Sequence, residues 1–383
     1  MGQVRGRIRL RLSLVVMMML MMGAVGLLRG EAAWGEEPLR EAVRGRFRVG
    51  TAIGSRQLSD PKVASLVVRE FDCLTGENEF KPTSVQPRAG VFRFEGPDRI
   101  VAFAKEHGLS VVGHTLCWHH QTPRWMFENA AGEALPRDEA LRNLKQHIDT
   151  VVGHFKGQVI GWDVVNEAIS DSDEPGSFLR ETQARRALGE DYVATAYELA
   201  LAADPGAELY YNDYGIEAPG KLERTIRLVR QLRSRGIPLA AVGIQGHFQL
   251  DDPGAIDRVD RAIGALGAEG VKVMLTEVDV DVLPRQAWGA DVSAREQKGA
   301  DPYRSGLPAE VAKAQAAFYG RLFEVVLKHP GVVTRVTLWG THDGASWLNT
   351  WPVFGRTNHP LLWDRRLEPK PALRAVLGAL DAP

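Results

Sequence analysis

Two glutamates in this 383-residue chain stand at or near the ends of apolar runs, in polar company. VIGWDVVNEAI (159–169) closes on Asn166-Glu167, and VMLTEVDV (273–280) carries Glu277. A pair of carboxyls can cleave a glycosidic bond. One, protonated, donates to the leaving oxygen, and the other, ionised, acts at the anomeric carbon. A nearby imidazole favours the ionised form, and an apolar setting raises a carboxyl's pKa. His247 could bond Glu277, with Asp279 two residues further on, and Asn166 suits a sugar hydroxyl. A lone strand-end glutamate is as readily a structural ion pair. Two of them, with Trp, His, Asn and Gln around them, argue for chemistry. No HExxH or comparable ligand spacing occurs, and this reaction needs no metal or cofactor.

The intervening chain has to bring the two glutamates together. Short β-rich runs alternate with amphipathic helical stretches, the pattern of parallel βα units. Strands are expected at 47–53, 71–76, 109–119, 159–169, 207–213, 239–247, 271–277 and 332–340. Between them come helices opening at Asp60-Pro61 and Pro97, one from Pro136 to about Phe155, and a long one running to Asp204-Pro205. Further helices are expected over Leu222, Ile226, Val229 and Leu232, over Ile256 to Leu266, at 308–328 and at 371–380. Eight such units without a linker predict a single (β/α)₈ TIM barrel over 34–383. The alternative, a doubly wound open sheet, would normally show GxGxxG after its first strand, and none is there. Nearly every expected strand turns polar or aromatic at its C-terminal end, where this fold places its catalytic sites. Strands four and seven then face each other across the mouth. Asn166 and Glu167 are consecutive and cannot both enter from a regular strand. The strand must end or bulge there.

The motifs ENEFKP (77–82), GHTLCWHHQTPRW (113–125), WDVVNEAI (162–169), LYYNDYG (209–215), GIQGHFQL (243–250), LTEVDV (275–280) and LWGTHDGASWL (338–348) occur in order. Over about 46–378 the chain closely resembles glycoside hydrolase family 10, the retaining endo-1,4-β-xylanases. The resemblance implies Glu167 as acid/base and Glu277 as nucleophile. It also implies His247 as the partner of that nucleophile and Asp279 as the group holding the histidine. Asn166 would contact the 2-hydroxyl of the sugar beside the bond cut, with His114, Trp118 and Gln245 lining the same sugar's site. Glu77, Asn78 and Lys81 would contact the next sugar on the non-reducing side, and Trp339 and Trp347 would wall these sites. The bland alternatives are core tryptophans and a surface lysine. His119 could equally brace its loop. Two departures touch the leaving-group side: Gly215 stands where Asn commonly follows NDY, and the loop at 283–308 is long and polar. A β-1,4-glucanase on the same barrel, or a non-catalytic carbohydrate binder, would share many of these motifs.

The composition, 44% hydrophobic and 25% charged, is ordinary for a soluble globular protein. Residues 1–33 hold five arginines, one glutamate and an uncharged run at 12–28. This reads as a secretory signal cut near Ala33, hence a secreted protein, with a membrane anchor as the alternative. Without that segment the chain is mildly acidic. No basic patch suggests nucleic acid, and the expected partner is xylan or a xylo-oligosaccharide. No motif calls for an obligate protein partner, so a monomer is expected. Cys73 and Cys117 should lie about seven strand residues apart, ~23 Å. That is beyond the ~7 Å Cα limit for a disulfide, so two free thiols are expected.

Overall fold

The computed structural model describes residues 37–174, 176–284, 290–294 and 300–381. The expected signal at 1–33 lies outside them. Among the described residues nine parallel strands form: β1 (Arg48–Ile53), β2 (Cys73–Gly76), β3 (Ser110–Trp118), β4 (Gly161–Asn166), β5 (Glu208–Asp213), β6 (Leu239–Ile244), β7 (His247–Gln249), β8 (Lys272–Asp281) and β9 (Val333–Leu338). Strands β1 to β6 pair in sequence, β6 pairs with β8, β8 with β9, and β9 with β1. The ring therefore closes on eight strands as a (β/α)₈ barrel, with helices between them. β4 and β8, which carry or precede the two glutamates, are three places apart in it.

The sixth expected strand is broken. β6 stops at Ile244, Gly246 turns at φ +80°, and β7 resumes alongside the far end of β8, pairing His247 with Asp279. A Cβ at Gly246 would crowd Phe248 and Val278 at 3.2 and 3.3 Å in an already unfavourable conformation. β8 itself runs past Glu277 to Asp281 because that added pairing extends its partner.

The helices follow the expected punctuation. Asp60 accepts from Lys62 N at 2.8 Å and opens Pro61–Glu70 as a side-chain cap. Gly108, left-handed, closes Glu95–His107. The long helix expected after β4 is two, Gln183–Leu188 and Tyr192–Ala203, separated at Gly189 with φ +89°. In Pro219–Ser234 the buried face is Lys221, Thr225, Leu228, Val229 and Leu232. Leu222 and Ile226, expected inward, are only half-buried. The helix is turned because Lys221 reaches Asp171 at 2.7 Å and Asp213 at 2.8 Å.

Inside the barrel, Cys73, Val112, Tyr210, Ala241 and Met274 form one buried cluster. Glycine makes room for the large rings. A Cβ on Gly113 would lie 2.1 Å from Trp162. Cys73 pairs with Ser110 in β3, seven residues before Cys117, and both thiols are free and buried. Burial pushes the Cys117 thiol up to about 12.

Candidate active site

The strand-end problem at 166–167 has a structural answer. Opposite β5, Asp163 pairs with Tyr210 and Val165 with Tyr211, so Val164 is an inserted bulge residue that changes which side chains face inward. Glu167 then turns left-handed at φ +58°. That conformation costs a non-glycine residue ~1–3 kcal/mol and needs support. The backbone amides around it supply that support. Glu167 N donates to Asn212 O at 2.9 Å. Ala168 N and Ile169 N donate to the Tyr211 hydroxyl at 3.1 and 2.9 Å, and Tyr211 donates to Asp213 Oδ2 at 2.5 Å. Arg180 Nε donates to Glu167 O at 3.2 Å.

All the candidate residues but Asp279 line one cavity of about 140 Å³ at the C-terminal face of the barrel. Glu167 is 3% exposed and sits among neutral donors. Trp118 Nε1 donates to its Oε2 at 2.7 Å, Gln245 Nε2 to its Oε1 at 2.9 Å, and Asn166 Nδ2 to Oε1 at 3.3 Å. Burial pushes its pKa up to about 7, helped by the charges of Asp213 and Glu277 and resisted by the Gln245 and Trp118 bonds. At that value the carboxyl can carry a proton at neutral pH and release it.

Glu277 is treated in the opposite way. Asn212 Nδ2 donates to its Oε1 at 2.7 Å, and His247 Nε2 lies 3.1 Å from its Oε2. Burial alone would raise its pKa. The His247 bond and the charges of His114, His247 and Lys81 outweigh that and hold it below the usual carboxylate range. His247 in turn places Nδ1 3.0 Å from Asp279 Oδ2, which also accepts from Trp347 Nε1 at 2.8 Å. Although burial disfavours its charge, Asp279 and then Glu277 raise His247 to about 9. Asp279 thus works from behind the cavity wall.

The remaining candidates surround the two glutamates. His114 Nδ1 is 2.9 Å from Asp163 Oδ2, and Trp339 stands edge-on to His114 at 5.4 Å. Trp347 stacks on Trp351 at 4.5 Å. Lys81 is buried, donates to Asn78 Oδ1 at 3.1 Å and sits 4.9 Å from the Trp118 ring centre. Burial lowers its pKa against the pull of Glu277, Glu77 and Glu167, and burial raises that of Glu77. His119 Nδ1 lies 3.9 Å from Glu167 Oε2, too far for a hydrogen bond. Burial, with the charges of His120 and Arg180, drops its pKa to about 2, so it stays neutral.

The model of glycosyl hydrolase family 10 matches residues 38–379. The chain belongs to glycosyl hydrolase family 10. Among its relatives, endo-1,4-β-xylanase B of Paenibacillus barcinonensis is 38% identical over 332 residues, 87% of this chain and 95% of the relative. A family 10 endoxylanase from a sugarcane soil metagenome superposes with a TM-score of 0.83 at 35% identity, covering 90% of this chain and all of the other. A mutant enzyme solved with xylotriose superposes with a TM-score of 0.79 at 32% identity, covering 89% and 99%.

The family 10 site also contains residues to which the sequence reading gave no role. Asn212 joins the two halves, since its Nδ2 also donates to Asn166 Oδ1 at 2.9 Å while its Oδ1 accepts from Thr276 Oγ1 at 2.5 Å. It was visible as a polar strand end, but its bridging role depends on the β4 bulge. Asp163 orients His114, and its own position mid-strand gave no signal. Ala290 and Val292, from the loop after β8, line the cavity as apolar residues with nothing in their type to mark them. Gly215, at φ +64°, lines a second cavity of about 440 Å³ next to the first.

Proposed function

We propose that this glycoside hydrolase is an endo-1,4-β-xylanase working with retention, by double displacement through a glycosyl-enzyme. The observation that carries the reading is the opposed environment of two glutamates on one cavity. One is held by neutral donors with a pKa of about 7. The other is held low by an imidazole that a buried aspartate keeps charged. Glu277 attacks the anomeric carbon as the bond to the leaving sugar breaks, and that sugar's oxygen takes the proton from Glu167. Water then attacks the same carbon, gives a proton back to Glu167 and frees Glu277. Asn212, already bonded to Glu277, leaves Asn166 placed beside the nucleophile to meet a sugar hydroxyl. The xylanase relatives and the xylotriose-bound neighbour support xylan and xylo-oligosaccharides as substrates.

Reducing ends released from xylan and from carboxymethylcellulose, with Glu277→Ala as control, test the substrate. Release from cellulose alone would overturn it. Proton NMR of the first product tests the stereochemistry, and an initial α-anomer would rule out retention. Residues 1–33 we take as a cleaved export signal, and the mature enzyme as a secreted monomer. N-terminal sequencing and sedimentation of the exported protein check both.

A further inference from the structure

Beyond Glu167 the chain doubles back on itself. Ile169 bridges Leu179 in antiparallel fashion, Ser170 N donates to Phe178 O at 2.9 Å, and Arg180 N donates to Ala168 O at 2.8 Å. The two arms bring Asp171 and Arg180 together over Tyr214, which directly follows β5. Arg180 Nη2 donates to Asp171 Oδ2 at 2.8 Å and to the Tyr214 hydroxyl at 3.0 Å. That hydroxyl donates its own proton to the same Asp171 oxygen. The other oxygen, Asp171 Oδ1, accepts from Lys221 Nζ at 2.7 Å, and this ammonium lies 4.0 Å from the centre of the Tyr214 ring. Lys221 also pairs with Asp213 at 2.8 Å. Two cations and two carboxylates thus balance around one tyrosine whose ring and hydroxyl are both held.

Tyr214 is buried and lines the second cavity. That cavity shares His247 with the glutamate cavity but none of Glu77, Asn78 and Lys81. Those three face the non-reducing side in the reading above, so the second cavity takes the leaving sugar. Arg180 Nε meanwhile donates to Glu167 O at 3.2 Å, at the turn that aims the acid. We propose that Asp171 is a positioning residue for the acid step, fixing the Glu167 turn and the Tyr214 wall as one unit. The inference rests on the xylanase reading. A proton donor must sit within ~3 Å of the oxygen it protonates. Here that oxygen belongs to a sugar placed by the cavity wall. A donor tied to the wall keeps the distance, and a donor free of it does not.

The test compares kcat/KM on xylotetraose and on nitrophenyl β-xylobioside, with thermal unfolding to confirm the fold. Asp171→Ala should lose about ten-fold on xylotetraose, the lower end for hydrogen bonds to charged groups. It should stay within about two-fold on the nitrophenyl substrate, whose leaving group departs without a proton. Asp171→Asn keeps an oxygen for Tyr214 and Arg180 and should recover part of the loss. Tyr214→Phe removes the shared hydroxyl alone and should also slow xylotetraose. Because both changes break one linkage, the double variant should be little slower than Asp171→Ala. Equal falls of Asp171→Ala on the two substrates would make Asp171 an ordinary support and overturn the proposal. So would an unchanged rate on xylotetraose, or losses that multiply in the double variant. An unaltered protein inactive on both substrates would instead sink the xylanase reading itself.

Discussion

Asp279→Asn isolates the electrostatic relay behind the nucleophile. Asp279 is buried, touches His247 at 3.0 Å and accepts from Trp347 at 2.8 Å. The substitution keeps the shape and removes the charge. His247 stands at about 9 because Asp279, ahead of Glu277, overcomes burial. The rise from 6.5 corresponds to ~3.5 kcal/mol at ~1.4 kcal/mol per pKa unit. Losing the larger share, ~2 kcal/mol, makes the imidazole titrate close to neutral pH instead of staying charged through it. Glu277 then loses the charged partner that offset its burial, and its pKa rises. The expected result is a fall of ~30-fold in kcat/KM at neutral pH, from ~2 kcal/mol of lost transition-state stabilisation. The acid limb of the profile should also move to higher pH, because more of the enzyme carries a protonated nucleophile. The assay is kcat/KM on an aryl β-xylobioside between about pH 4 and 9. A variant within two-fold of the wild type, with its acid limb unmoved, would show that the His247–Asp279 pair does not keep Glu277 ionised.

Other perturbations test the remaining assignments. Glu167→Ala should cost ~10²–10⁴-fold on xylan, whose leaving sugar needs a proton, and much less on a nitrophenyl glycoside; equal losses would refute the acid role. Trp118→Phe removes a donor that favours ionised Glu167, so the basic limb of kcat/KM should shift to higher pH, and an unmoved or lowered limb would count against the bond. Stability should respond to Glu167 with a definite sign. Its pKa is about 7 in the fold against 4.5, so its favourable contribution is complete below pH 4.5 and is lost as pH rises through about 7. Glu167→Gln should therefore unfold in urea with ~1–3 kcal/mol more stability than wild type at about pH 8 and little difference at about pH 4. Lys221→Met leaves buried Asp213 without its 2.8 Å partner and should cost ~3–5 kcal/mol by the same measurement.

What the sequence made legible was whatever depends on strand ends. In this fold the position of a residue along its strand decides whether it reaches the catalytic face. Glu77, His114, Asn166, Gln245 and Glu277 could therefore be placed at one mouth by counting along strands. The cysteine spacing was legible for the same reason: the register that sets Cys73 beside Ser110 puts Cys117 seven residues further along β3. What could not be read depends on exceptions to regular geometry. Gly246 breaks a strand that its apolar pattern joins, and the break is what lets His247 face Asp279 across a new pairing. Lys221 rotates its helix because two carboxylates lie beneath it, which helical periodicity ignores.

The turn at Glu167 shows how such exceptions serve the chemistry. Burying a carboxyl enough to raise its pKa places it on the apolar side of a strand end, while a proton donor must also face the substrate. A regular strand cannot put Asn166 and Glu167 on one side. The bulge at Val164 and the left-handed Glu167 achieve it, and the conformation persists because Tyr211, Asn212, Asp213 and Arg180 hold the neighbouring backbone. Asp213 has a second effect, since its charge raises Glu167 toward neutrality. The motif NDY at the end of β5 therefore does structural and electrostatic work for the acid at the end of β4. Asn212 meanwhile serves the nucleophile on β8 with its other hydrogen bonds. One short strand end thus couples the two glutamates. Substitutions at 211–213 are expected to change the protonation of both carboxyls together, whereas substitutions at His247 or Asp279 act mainly through Glu277.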